Sequence, residues 1–483
     1  MVEHFHKMGA IDGPDVEAQS PDWVLKVQCA LRESNKYQGE ESISIFKIPK
    51  FLRFSGGDFT PREWRFGLHN RENLYTESDN IKISAAAAFG LLGAKWDDFC
   101  NCVVDDPVGL LKSYGLHDCF SSFDENEVKY ILALDALLLV LVFDSISSRA
   151  FTNDALNSLF RSRRVRATFN VTIIRQIDIA LLENQIPMTL LRKAIQKCIT
   201  ISYGASGSDG NAKQVPTAEQ TLDNILKAAM ERVYPLTDKL KHTDGREYPI
   251  KEYLNLAYPI GRLGEREHFL DCVYHIICGS KGATAVAGDY YSSDYIHVPS
   301  AIILKASGIK IRPVLGTLDN TAFRNGRLYL PVIMLGGTSG SIFRNLALYE
   351  SLYKSPACMF SDYMNLIKDL LGGVNDVELL TKRGVIQNKL GNPKKLLKMW
   401  IGSSEGLGTR SSSKDFHEMK ANIVKHCKSK NNVMLAEFKL VFCSRPWYVI
   451  SAITVTIVTL ATCIQTYVAI MSSNRMKPRF PHS

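Results

Sequence analysis

The sequence predicts a mainly α, α+β-type fold: a large helical domain with a small β-hairpin or sheet, followed by one C-terminal transmembrane helix. Three observations carry this. Apolar residues recur at helical spacing through most of the chain. Two β-prone runs, Ile309 to Leu315 and Arg327 to Ile333, flank the turn residues Asp319, Asn320, Asn325 and Gly326. The 22 residues from Val449 to Ile470 contain no charge.

At 483 residues, 46% apolar and 22% charged, the chain is long enough to bury a sizeable core. The net charge of +9 favours acidic surfaces such as a cytoplasmic leaflet, without the concentrated basic stripe of a nucleic-acid binder. Eleven cysteines at irregular spacing argue against a disulfide scaffold and for a reducing compartment. The N-terminus lacks the basic and apolar regions of a signal peptide.

Residues 1–42 read as a loosely attached leader with one helix expected over Trp23 to Glu33. The helical domain is expected over 43–440, with a short strand from Ile43 to Ile48 ending at Pro49. Ile81 to Phe99 is alanine-rich and predicted helical. Val128 to Phe143 is a buried core helix with Asp135 amid leucines, expected to bond nearby backbone or an arginine. Arg161, Arg163, Arg164 and Arg166 form a basic cluster, read as a solvated turn.

Ile177 to Pro187 is the stretch around which the chain is organised. An apolar run carries Asp178, Glu183, Asn184 and Gln185 and stops at Pro187, so two helices, or one kinked helix, should meet there. Glu183, Asn184 and Gln185 are expected to satisfy backbone groups rather than to catalyse. Residues 202–216 form a glycine- and serine-rich insertion. Helices are then predicted over Ala218 to Val233, Glu265 to Cys278, Ser300 to Gly308, Phe343 to Tyr353, Tyr363 to Leu371 and Asp376 to Arg383, and Pro393 to Trp400 and Phe416 to Phe438 complete the soluble part.

Motifs with a defined chemistry are missing. The chain has no GxxxxGK[ST] loop, no GxGxxG after a strand and no Gly-x-Ser-x-Gly. Gly336 to Ser341 is glycine-rich without a lysine and reads as a turn opening a helix. His268, Cys272, His275 and Cys278 approach a metal-ligand count, yet only part of the set shares a helix face, so a core helix is preferred. Asn170-Val171-Thr172 has the form of a glycosylation sequon. The sequence predicts no catalytic residues, no cofactor, no metal, no small-molecule ligand and no nucleic-acid partner.

The uncharged run spans roughly 33 Å as a helix, enough to cross a bilayer core. Residues 448–471 are therefore expected to contact the lipid bilayer, with Trp447, Tyr448 and Tyr467 at its interfaces and 472–483 as a short tail. Inserted after synthesis as a tail anchor, it leaves the bulk of the chain cytosolic. Lys425, Lys428, Lys430, Lys439 and Arg445 on the near side agree with that, while Arg475, Lys477 and Arg479 oppose it.

Leu181-Leu182-Glu183-Asn184-Gln185-Ile186-Pro187 resembles the signature of the plant family known as domain of unknown function 247, or UPF0481. Further family-like pieces follow in order: Ile48-Pro49, the Asp135 helix, Pro299-Ser300-Ala301 with Gly308-Ile309, and Gly326 to Pro331. After them come Phe343-Arg344-Asn345-Leu346-Ala347 with Glu350, Ser361 to Met364, Asp376 to Leu380, Gly384 to Asn388, and Pro446-Trp447. The resemblance covers about residues 43 to 472. Asp135, Leu182, Glu183, Asn184, Gln185, Pro187, Arg344, Asn345 and Glu350 are its structural signature. One departure is Phe66-Gly67-Leu68-His69, standing where members carry glycine-proline-tyrosine-histidine.

The resemblance implies a mostly helical plant membrane protein without established enzymatic activity; some grass members look like self-incompatibility determinants. The expected function is a single-pass anchored interaction, recognition or signalling protein with a protein partner. The alternative is an enzyme with an unrecognised site near Asp135, Glu183 and Asn184.

Overall fold

The computed structural model describes residues 45, 47–48, 59–62, 64–69, 77–90, 95–115, 124–146, 177–204, 215–234, 239–241, 246–258, 260–279, 290–291, 295–352, 359–404, 412–429 and 446–475. Internal contacts divide the chain into Met1–Ile43 and Ser44–Ser483. All described residues belong to the second unit. The expected helix at Trp23 to Glu33, the arginine cluster at 161–166, Asn170 and the centre of the 202–216 insertion lie outside them.

Among the described residues of the first half the regular structure is helical. It comprises α1 (Glu77–Gly90), α2 (Trp96–Val103), α3 (Pro107–Ser113), α4 (Glu125–Ile146), α5 (Met188–Gly204) and α6 (Ala218–Val233). The alanine-rich run predicted as one helix is thus two, α1 and α2. Helix α4 is central, touching α1, α2, α3, α5 and α6. Its residues Leu132, Ala133, Ala136, Leu137 and Phe143 are fully buried, which explains a run apolar on every face. Local signals set several helix starts. Asp106 caps α3 by accepting from Gly109 N, ahead of Pro107. Thr217 and Gln220 form a reciprocal capping box on α6.

A hairpin of β1 (Lys239–Lys241) and β2 (Glu247–Pro249) leads into α7 (Ile250–Ala257) and α8 (Phe269–Cys278). Helix α8 starts four residues later than predicted, because 260–268 form turns and His268 is its N-cap. After β3 (Tyr290–Tyr291) and the short α9 (Ala301–Ala306) come β4 (Lys310–Val314), β5 (Ala322–Arg324) and β6 (Arg327–Pro331). They form one sheet in the order β4-β6-β5. The two predicted runs pair in parallel, and the hairpin is β5–β6. Asn325 and Gly326, with φ of 50° and 68°, supply its tight turn.

Strands β7 (Ile333–Leu335) and β8 (Ile386–Asn388) form a parallel pair. Around them lie α10 (Ser339–Leu352), α11 (Met359–Leu370), α12 (Val374–Lys382) and α13 (Pro393–Ser404). Strand β9 (Ser412–Ser413) pairs with β3, and α14 (Lys414–Lys428) packs on β5. The last helix is α15 (Pro446–Arg475).

Helix α15 is long and apolar enough to cross a membrane over Ile450–Ser472, and none of that span is buried against the protein. Its hydroxyls bond backward along the helix: Thr454 to Ile450 O, Thr456 to Ala452 O, Thr459 to Val455 O and Thr462 to Val458 O, each within 2.9 Å. Those bonds remove the main cost of carrying hydroxyls into an apolar medium. Trp447 and Tyr467 are exposed on it. Tyr448 lies on the same helix, with its side chain outside the described set.

Candidate functional site: a buried polar junction

The signature stretch is not helical. Only Ile177 and Asp178 have helical backbone; 179–184 run through turns, and α5 begins at Met188, just past Pro187. An apolar run buried on all sides reads as a helix in sequence, but here polar side chains satisfy an irregular backbone.

Those side chains bind segments far away in the chain. The Asn184 carboxamide accepts from Phe66 N at 2.6 Å and donates to Trp64 O and Asp178 O at 2.7 Å. Toward residues 64–66 it acts as a neighbouring strand would, taking one N–H and giving one to a carbonyl. The Asp178 carboxylate accepts from Arg62 N and Trp64 N, both at 3.0 Å. The Glu183 carboxylate accepts from Ile48 N. Ile45 and Ile48 are buried in irregular backbone, so the strand predicted there does not form at the described positions.

Gln185 closes the turn and joins it to α8. Its Nε2 donates to Ile179 O and Leu181 O, while its Oε1 accepts from Leu270 N. Its own carbonyl accepts from the Tyr114 hydroxyl at 2.8 Å. Leu182 N donates to Asn345 Oδ1 on α10, and Asn345 Nδ2 donates to Ser341 O. Arg344, half-buried beside Asn345, brings one guanidinium nitrogen to 3.3 Å from where a Cβ on Gly402 would lie.

Asp135 sits at the floor. One carboxylate oxygen pairs with Lys82 Nζ at 2.7 Å, and the other accepts from Gly67 N at 2.8 Å. The expected backbone partner is the Gly67 amide, and the cation is a lysine rather than an arginine. The ammonium also donates to Arg65 O, bonds Asp79 at 3.3 Å and lies 5.7 Å from the Phe66 ring. Two charges with no side-chain exposure are stable only when each is paired and hydrogen-bonded, and both are. Gly67 has φ of 71°, and a Cβ there would stand 2.5 Å from Gln185 O. The departing element Phe66-Gly67-Leu68-His69 is thus held closely, with His69 Nε2 at 3.1 Å from Ile45 O.

Glu350 forms a second node. It accepts from the Tyr274 hydroxyl at 2.7 Å and from Phe360 N and Ser361 N at 2.8 Å, capping the start of α11. The Ser361 hydroxyl is a fourth donor. Burial pushes its pKa up to about 7, with the four donors pulling the other way. Tyr349, beside it on α10, donates to Asp271 Oδ1, and Asp271 Oδ2 accepts from Glu267 N. Residues 267–271 are thereby tied to the same junction.

Among the described residues, these bonds engage the carboxylates of Asp135 and Glu183 and the carboxamide of Asn184 with backbone groups and with Lys82. A void of only about 10 Å³ borders Asn184 and Gln185. Among the described residues, no group of three His, Cys, Asp or Glu side chains could hold a metal. His275 bonds Arg266, and the Cys272 and Cys278 thiols are pushed well up by burial. Lys82, Tyr114 and Asp271 complete the junction and carried no local signal in the sequence, while Gly67 was marked only as part of the departing element.

The putative UPF0481 protein At3g02645 of Arabidopsis thaliana is 23% identical over 460 residues, spanning 80% of this chain and 83% of that protein. The UPF0481 protein At3g47200 of the same plant is 22% identical over 454 residues, spanning 90% and 87%. No solved structure matches. The family DUF247, described as a plant protein of unknown function, matches residues 45–461, from the first buried isoleucine of the junction well into α15. The chain belongs to the DUF247 family.

Proposed function

We propose that this chain is a single-pass membrane-anchored interaction protein, held by α15 with its helical body in the cytosol and engaging a protein partner through the body's surface. The observation that carries the reading is α15: a continuous apolar helix over Ile450–Ser472, entirely exposed, with its hydroxyls satisfied internally. Leaving that much apolar surface in water is strongly unfavourable, and a bilayer removes it. The polar junction supports the same reading. Its carboxylates and amides are committed to holding the fold, which suits a rigid body presenting a surface better than a reaction site.

The test compares the full chain with one lacking residues 446–483, in cells, by carbonate washing of membranes followed by protease treatment of intact vesicles. The anchored reading expects the full chain to stay in washed membranes, the shortened chain to become soluble, and the body to be digested from the cytosolic side. A body protected from protease reverses the orientation. Two soluble forms remove the anchor altogether.

A further inference from the structure

We infer that the outward face of the β4-β6-β5 sheet is a docking surface for acidic lipid headgroups of the bilayer that holds α15. The registers place Lys310, Arg327 and Arg324 side by side in one row across the three strands. The adjoining row is Arg312, Tyr329 and Ala322. Strands lie about 4.8 Å apart and alternate residues about 7 Å apart along a strand, so four cations share a patch of roughly 10 by 7 Å. All four are exposed. Among the described residues none of the four side chains has an ion-pair or hydrogen-bond partner. No acid stands in either row.

The opposite face is already used. Leu328 and Leu330 are buried, and Phe323 meets His426 of α14 with ring centroids 5.7 Å apart.

Like charges directly opposite one another across strands are unfavourable. Lysines and arginines on the edge strands β4 and β5 would guard against edge-to-edge pairing, but β6 is the central strand, so that explanation does not reach Arg327. Several acidic headgroups side by side offset the repulsion, and guanidinium forks match phosphate oxygens in pairs. Tyr329 adds the amphipathic ring favoured at headgroup depth.

The anchor selects the source of the anion. Seventeen residues separate the end of α14 from α15, a reach of at most about 60 Å, so the patch is held near one leaflet at high effective concentration. This step rests on the anchored reading of α15.

The full chain would be placed in nanodiscs of pure phosphatidylcholine or with about 30% phosphatidylserine, and arginine modification by phenylglyoxal followed by mass spectrometry. The expected result is at least about fivefold slower modification of Arg312, Arg324 and Arg327 on the acidic discs, with Arg383 unchanged. About 0.5 M NaCl should abolish the difference. The Lys310→Ala/Arg312→Ala variant should lose most of the protection at Arg324 and Arg327, whereas Lys394→Ala/Lys395→Ala should keep it.

Equal modification rates on the two discs, equal slowing at Arg383, or retained protection in the Lys310→Ala/Arg312→Ala variant would each overturn the proposal. So would protection given by inorganic phosphate or an acidic peptide on neutral discs but not by acidic discs, which would assign the face to a soluble anion. A chain that carbonate strips from neutral discs, yet is protected on acidic ones, keeps the lipid face and refutes the anchor. A chain that resists carbonate and shows no protection does the reverse.

Discussion

Asn184 and Phe66, 118 residues apart in sequence, are joined by a 2.6 Å hydrogen bond from the Phe66 amide to the Asn184 carboxamide oxygen. The same carboxamide donates to Trp64 O and Asp178 O, so one side chain fixes an N-terminal segment against a turn that has no regular structure of its own. Replacing it with Asp keeps the acceptor and deletes both donors, setting a carboxylate against two carbonyls. Asn184→Asp should lower stability by about 3 kcal/mol, and Asn184→Ala by a similar amount. Thermal unfolding of the full chain in detergent would show it as a drop in Tm. Amide exchange at residues 62–67 would localise it; unchanged protection there would contradict the strand-like role.

The Lys82–Asp135 pair leads to a coupling prediction. Lys82→Met takes the ammonium from a buried carboxylate, and Asp135→Leu takes that carboxylate from a buried ammonium; each should cost about 3–5 kcal/mol. The double variant removes the facing charges together and takes a partner from the Gly67 N–H, the Arg65 carbonyl and Asp79, which costs less than stranding each charge in turn. A double-mutant cycle should therefore give a double well below the sum of the singles. Additivity would mean that the two side chains do not share one site.

Much of this architecture was legible in sequence, and the failures have one cause. Helix α6 and helices α10 to α12 have local periodicity, and α15 is set by its own composition. The signature stretch was legible as important but not as a turn. Asp178, Glu183 and Asn184 bond residues more than a hundred positions earlier, and nothing within a local window reports such partners. The two β-prone runs do pair in one sheet, as the hairpin-or-sheet reading allowed, but their parallel direction was not legible. The turn residues marked a hairpin, but its first strand was the three-residue β5, too short to show alternation.

Gly67 adds a backbone prediction. Its φ of 71° suits glycine, and an added Cβ would collide with a carbonyl that Tyr114 also holds in place. Gly67→Ala should destabilise by about 2 kcal/mol or more, because neither the strain nor the contact can relax alone. Tyr114→Phe removes the clamp on the Gln185 carbonyl, so in that background the penalty at Gly67 should shrink. Denaturant midpoints for the four proteins decide this.

Glu350 sets a pH dependence whose sign follows from its environment. Its folded pKa, about 7, lies above the ordinary 4.5 of a free glutamate because burial without a cation favours the neutral acid. Between those values the folded chain holds a proton that the unfolded chain has released, so this group's contribution to stability is greatest at acid pH. It declines as pH rises through the window and is fully lost above about 7. The swing is on the order of 3 kcal/mol. Glu350→Gln cannot ionise and keeps one oxygen, enough for Phe360 N or Ser361 N but not for both, so it should flatten the slope between pH 5 and 7 at a loss of stability that does not vary with pH. Urea midpoints at several pH values, wild type against Glu350→Gln, measure the difference directly. A parallel pair of curves would assign the slope to other groups.

The cysteines separate buried, aqueous and lipid environments in one experiment. Burial pushes the Cys100 thiol up to about 12, and Cys272 and Cys278 are raised well above the ordinary range, so all three should resist a maleimide in the folded chain. Cys102 is exposed one residue from the end of α2 and should react. Cys463 is equally exposed on the protein itself, but it lies in the middle of the apolar span of α15. In intact vesicles an impermeant maleimide should reach Cys102 and spare Cys463, and detergent below its critical concentration should change neither. Urea should then open Cys100, Cys272 and Cys278, leaving Cys463 silent as long as the bilayer survives, since a charged, impermeant reagent does not enter hydrocarbon. Labelling of Cys463 at the rate of Cys102 in intact vesicles would place α15 in water, and with it would go the reason for an exposed apolar helix of this length.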